Sequence, residues 1–143
     1  MWSHRLPMRI ELALPLALLV IASCSRDEDA RKLLADMESF QENVEGAMRD
    51  SPDEAGVAKA EALVAAQSGV LRTRYADVSS GKLSSGTLVV IPTRCAGNAQ
   101  AADVGRSYVQ IGLAKANASA DLRDRLMTRI DAMRATLATI CGL

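Results

Sequence analysis

The stretch Ser119-Ala-Asp-Leu-Arg-Asp-Arg-Leu-Met-Thr-Arg-Ile-Asp-Ala-Met-Arg-Ala-Thr-Leu-Ala-Thr-Ile140 decides the fold class. Its apolar residues Leu122, Leu126, Ile130, Met133, Leu137 and Ile140 recur at spacings of 4, 4, 3, 4 and 3. Those spacings line one face of an α-helix, because 3.6 residues make a turn. Ser119 stands where a helix N-cap belongs, since its hydroxyl can accept from the first free backbone N–H groups. Arg123, Arg125, Arg129 and Arg134 occupy the other faces, and Asp121 can pair with Arg125 one turn on. The interleaved Asp residues argue against a nucleic-acid-binding helix.

A second stripe of the same kind lies near the start of the chain. Leu33, Met37, Phe40, Val44 and Met48 follow one another at spacings of 4, 3, 4 and 4. This predicts a helix from Arg26 to about Arg49, with Ser25-Arg-Asp-Glu28 as its capping box. Ser51-Pro52-Asp53-Glu54 reads as a second capping box, with Ser51 as cap and Pro52 at the first helical position. The helix it opens runs to about Val78, with Ala60, Val64, Leu71, Tyr75 and Val78 inward. The short joint at Asp50 and Ser51 makes these two helices antiparallel neighbours.

The middle of the chain is less regular. Ser79 to Gly86 is a loop by composition, and it is no phosphate-binding loop, because Lys82 is followed by Leu83. Thr87-Leu-Val-Val-Ile91 before Pro92 is β-like, and the expectation is one extended segment near residues 87-91. That segment either packs along the helices or offers an edge to a partner strand. A third helix is expected from about Gly97 to Ala116, with Val104, Tyr108, Ile111 and Lys115 along one side. Ala101, Gly105 and Gly112 recur near that side and would permit close helix approach. The sum is an all-α, small up-down bundle of about four helices.

The N-terminus carries a different signal. Arg5 and Arg9 precede the apolar run Leu12 to Ala22, which at 11 residues is too short to span a bilayer at about 20 residues. It fits the apolar region of a secretory signal. The run ends at Ile21-Ala22-Ser23-Cys24, which resembles the lipobox of bacterial lipoproteins. The resemblance implies residues 1-23 as a signal peptide and lipid attachment to Cys24; the 120 residues that remain, 24-143, are enough for a single domain with one core, anchored through that cysteine. The expected partner is thus a lipid bilayer through acylated Cys24. Ser25 in place of Asp leans, in enteric-type sorting, toward the periplasmic face of the outer membrane.

Composition limits the chemistry. The one histidine, His4, lies in the signal, so the expected mature chain has none. That excludes Ser-His-Asp and Cys-His catalysis and His-ligated zinc or haem. Phe40, Tyr75 and Tyr108 are its only aromatics, too few for the floor of a sugar cleft. Met37, Met48, Met127 and Met133 fall on or beside helical stripes and suit core packing better than copper binding. No catalytic residue, metal site or cofactor is expected. Cys95 and Cys141, the pair left once Cys24 is acylated, are expected to form a disulfide in an oxidising compartment. A buried free thiol pair and a redox role are the alternatives.

Charge is uneven. From Arg26 to Glu61 the balance is 5 − 11 = −6, and from Ala62 to Leu143 it is 10 − 5 = +5. Either the halves pack together and neutralise each other, the favoured reading, or they form opposite faces of which one meets a partner. Glu38, Glu42 and Glu45 cluster away from the first stripe, either as a solvated face, the favoured reading, or as an acidic binding strip; with Lys82 they are the candidate contacts for a partner. The expected function is that of a non-enzymatic, membrane-anchored lipoprotein that binds a protein, in its most concrete form an immunity or inhibitor protein. The alternative is a structural or assembly accessory of an envelope or secretion complex.

Overall fold

The computed structural model describes the backbone of residues 13–142 and the side chains from Arg26 to Gly142. Four helices make up the described chain: α1 (Ala13–Asp50), α2 (Glu54–Ser79), α3 (Ser85–Lys115) and α4 (Ala120–Ala138). Residues 1–12, with Arg5, Arg9 and the start of the apolar run, lie outside the described residues, as do the side chains of Cys24 and Ser25.

The helices alternate in direction along the chain, and cross-helix pairs fix their order in space. Arg26 pairs with Asp77 and Arg74 with Asp36, so α1 and α2 are antiparallel. Arg134 pairs with Asp103, and Cys141 is bonded to Cys95, so α3 and α4 are antiparallel. Between these two hairpins the pairing runs the other way. Asp27 meets Ser84 and Gln41 meets Asn98, so α1 and α3 are parallel. Arg129 reaches Glu61 and Arg72 reaches Thr139, so α2 and α4 are parallel as well. The circular order is therefore α1, α2, α4, α3, and the α2–α3 linker passes across α1 at Arg26 and Asp27.

The stripes of α1 and α4 form the core. Leu33, Met37, Phe40, Val44 and Met48 are buried, and so are Leu126, Ile130, Met133, Leu137 and Ile140. Ala60, Val64, Leu71 and Val78 of α2 are buried too, while Tyr75 packs at the edge. Ser119 caps α4 as the sequence implies, accepting from the Leu122 N–H at 3.2 Å.

Four expectations need correction. Residues 87–91 are not extended; they form the first turns of α3, with Pro92 inside the helix. The cause is a cap supplied from two sides. Ser84 Oγ accepts from the Thr87 N–H, and the Asp27 carboxylate accepts from the Ser84 N–H at 3.0 Å and from the Thr87 hydroxyl. This tertiary cap outweighs the strand preference of Thr87, Val89, Val90 and Ile91. The α2 cap is Asp53, not Ser51: its side chain accepts from the Gly56 N–H, and Pro52 stays outside the helix. Asp53 is the better cap here because the Asp53 N–H turns back to the Ser51 carbonyl at 2.9 Å, leaving Ser51 and Pro52 in the turn. The first helix does not begin at Ser25-Arg26: α1 is continuous from Ala13.

The fourth correction concerns the faces of α3. Its small residues go inward, and Val104, Tyr108 and Ile111 face out. A Cβ added at Gly105 would overlap the Met48 side chain, and one at Gly112 would overlap the Pro52 carbonyl and ring. Glycine lets α3 approach α1 that closely, so the larger side chains are turned away.

Candidate functional site

The charge asymmetry resolves mostly within the fold. Asp36, Glu38, Glu54 and Glu61 from the acidic half pair with Arg74, Arg94 and Arg129 from the basic half. Arg129 meets Glu61 through two nitrogens: its Nε lies 3.1 Å from Oε1, and the hydrogen bond to Glu61 raises the guanidinium pKa, against an opposing effect of partial desolvation. These are bridges between helices that hold the bundle in register.

The structure does not gather the four candidate partner contacts into one site. Glu38 is occupied by Arg94 at 3.2 Å. Glu42 is exposed, and Glu45 is half-buried. Partial desolvation, and then the Glu42 charge, raise the Glu45 pKa. Lys82 stands at the other end, in the α2–α3 linker beside Arg26 and Asp27. Glu45 is about 27 Å further along α1, at about 1.5 Å per residue.

Cys95 and Cys141 are joined by a disulfide, with Cα atoms 5.9 Å apart. Beside it lies a buried polar pair that the stripe analysis missed. Gln41 Nε2 donates twice, to the Arg94 carbonyl at 2.8 Å and to Asn98 Oδ1 at 2.7 Å. Asn98 Nδ2 in turn points at Cys141 Sγ at 3.8 Å. A polar residue on the inward 95-98-102-105-109 spacing was the available signal. A partnered pair of this kind fixes the register of α3 on α1, since slippage would leave buried amides unpaired.

The surface feature that stands out is the outward face of α3. Val89, Thr93, Ala96, Gln100, Val104 and Ile111 recur along it at helical spacing, and all are exposed and uncharged. Val89 is 74% exposed and Ile111 55%, with Leu88, Val90 and Tyr108 flanking. The stripe from Val89 to Ile111 is about 33 Å long at about 1.5 Å per residue. Periodicity located these apolar residues but not their side, because the inward face of α3 is built of small residues.

The grooves between helices are shallow. One is lined by Asp27, Arg31, Leu34, Ser84 and Val90. Asp27 is held charged there: hydrogen bonds from the Ser84 backbone and hydroxyl lower its pKa, with Thr87 and Arg31 adding to the effect. Among the described residues, no group of three or more His, Cys, Asp or Glu side chains is placed to hold a metal ion. Among the same residues, no helix is long and apolar enough to cross a membrane. No protein-family model, curated protein or solved structure matches the chain.

Proposed function

We propose that the chain is a lipid-anchored, extracytoplasmic protein that acts by binding another protein rather than by catalysis. Its most concrete form is an immunity- or inhibitor-type protein that covers a target surface. The observation that carries the binding half is the uncharged outward face of the distal part of α3, with Val104, Tyr108 and Ile111 exposed. Exposed aliphatic and aromatic side chains on one helix face, with no charge among them, suit the desolvated centre of a protein interface. Tyr108 adds an aromatic anchor of the kind that dominates such interfaces.

The anchor half rests on Ile21-Ala22-Ser23-Cys24 at the end of the apolar run. Cys24 stands three residues before Asp27, where the α2–α3 linker crosses α1. A lipid there would hold the bundle by one end and leave the distal half of α3, with Val104, Tyr108 and Ile111, about 35–45 Å away at about 1.5 Å per residue. The disulfide supports an oxidising compartment. Two or more acyl chains give stable attachment without a spanning helix.

The test is photo-crosslinking in the cell of origin, with the probe at Ile111 and, as control, at exposed Lys59 on α2. The expected result is one discrete adduct from Ile111 that Lys59 does not give. No adduct, or the same adducts from both positions, would contradict the binding face.

A further inference from the structure

The first two turns of α3 are uncovered for a topological reason. α4 ends at Ala138, and the disulfide places Cys141 opposite Cys95. Residues 85–92 therefore project past α4 and are held chiefly on α1, with Ile91 turned to the core. In this stretch Leu88, Val89 and Val90 are consecutive, and all three are exposed, at 53%, 74% and 49%. Three consecutive helical residues point about 100° apart, so the tip is apolar on three sides. A helix end of this kind is not shaped for the flat face of a partner helix.

Its position identifies what covers it. Asp27 binds Ser84 and Thr87, which locks the tip to the part of α1 that follows Cys24. The parallel register sets Val89 about level with Arg31 and Lys32, some 12 Å from Cys24 along the helix at about 1.5 Å per residue. Neighbouring helix axes lie about 8–10 Å apart. A bundle tethered at Cys24 and inclined toward α3 thus brings the tip to the level of the anchor. Arg31 lines the groove with Val90, as does Asp27, which Ser84 and Thr87 occupy, and exposed Lys82 lies in the linker two residues before Ser84.

We propose that the α3 tip, Leu88-Val89-Val90, is a second membrane contact that dips into the bilayer interface beside the lipid on Cys24. Lys82 and Arg31 meet the lipid phosphates at its rim. This rests on the anchor reading of Cys24. The contact serves orientation more than affinity: a lipid alone leaves the bundle free to swivel, and the tip fixes which way the distal part of α3 faces.

Tryptophan fluorescence tests it. The only tryptophan of the sequence is Trp2, which falls in the segment removed on processing. V89W and, separately, I111W are made in the full chain, purified with palmitate labelling verified, and reconstituted in phosphatidylethanolamine–phosphatidylglycerol vesicles with brominated acyl chains. The expected result is a blue shift and loss of emission for V89W, and neither for I111W. A labelled protein whose V89W emission is unquenched overturns the tip contact and leaves the anchor standing. A blue-shifted but unquenched indole overturns it too, since a protein would then cover the tip. Equal quenching at both positions overturns it in favour of a bundle lying flat. Absence of palmitate label overturns the anchor and, with it, the contact.

Discussion

Replacing both Cys95 and Cys141 with alanine removes a cross-link whose worth follows from the fold. The two residues are 46 apart in sequence. A loop of that length costs the unfolded chain an entropy equivalent to about 4 kcal/mol at 25 °C in the chain-entropy model. Both sulfurs are buried, so alanine introduces no new polar group into the core, but it removes the Cys141 Sγ that Asn98 Nδ2 faces at 3.8 Å, which adds to the loss. For the 120 residues from Cys24 to Leu143, an unfolding entropy of about 2.1 cal/mol/K per residue converts this into a Tm lower by roughly 15 °C. The helical signal at low temperature should persist, because the α1 and α4 stripes hold their core without the bond. The assay is thermal unfolding followed by circular dichroism, with the double variant compared against the parent with and without reductant. A double variant that melts within about 3 °C of the unreduced parent would refute the reasoning. It would mean that packing of α3 on α4 already restricts the loop.

Two further perturbations probe the local geometry. A Cβ at Gly56 would overlap the Ser51 and Ala47 carbonyls, whereas at Gly69 it would meet nothing within 4 Å. Gly56→Ala should therefore lower stability in urea by about 1–3 kcal/mol or more, and Gly69→Ala should raise it by about 0.4–1 kcal/mol; equal effects of the same sign would contradict the tight α1–α2 turn. Asp27 titrates below its ordinary value of 3.8 when folded. Its contribution is therefore present above that value and lost as pH falls through the lower folded pKa. In urea midpoints taken from pH 7 to pH 2, the gap between the parent and Asp27→Asn should close at the acid end, and a gap independent of pH would count against the Asp27 cap of α3.

What the sequence made legible, and what it hid, follows from which residues carry the packing. In α1 and α4 large side chains such as Phe40, Met48, Leu126 and Ile130 do the packing, so hydropathy and burial share one period. In α3 the inward positions are Asn98, Ala101, Ala102 and Gly105, and close approach replaces bulk. Hydropathy there marks the exposed face. The helix at 87–91 was hidden because its cap depends on Asp27, 57 residues away from Ser84, while local preference favours a strand. The circular order of the helices could not be read either, since a five-residue linker permits either neighbour of α1. Of the candidate site residues, Cys95 and Cys141 were legible because, once Cys24 is set aside, each cysteine has only the other as a partner. Glu38 and Lys82 were chosen by charge alone, and charge does not distinguish a bridge between helices from a contact with a partner.

The central claim is the lipid on Cys24, because it places the molecule, orients α3 and sets the compartment of the disulfide. The most direct measurement is metabolic labelling with radiolabelled palmitate of the parent chain and Cys24→Ala, each followed by membrane fractionation. The account predicts label and membrane retention for the parent, and for Cys24→Ala no label and failure of cleavage after Ser23. Label of equal intensity in Cys24→Ala, or a parent chain that carries none, would contradict it.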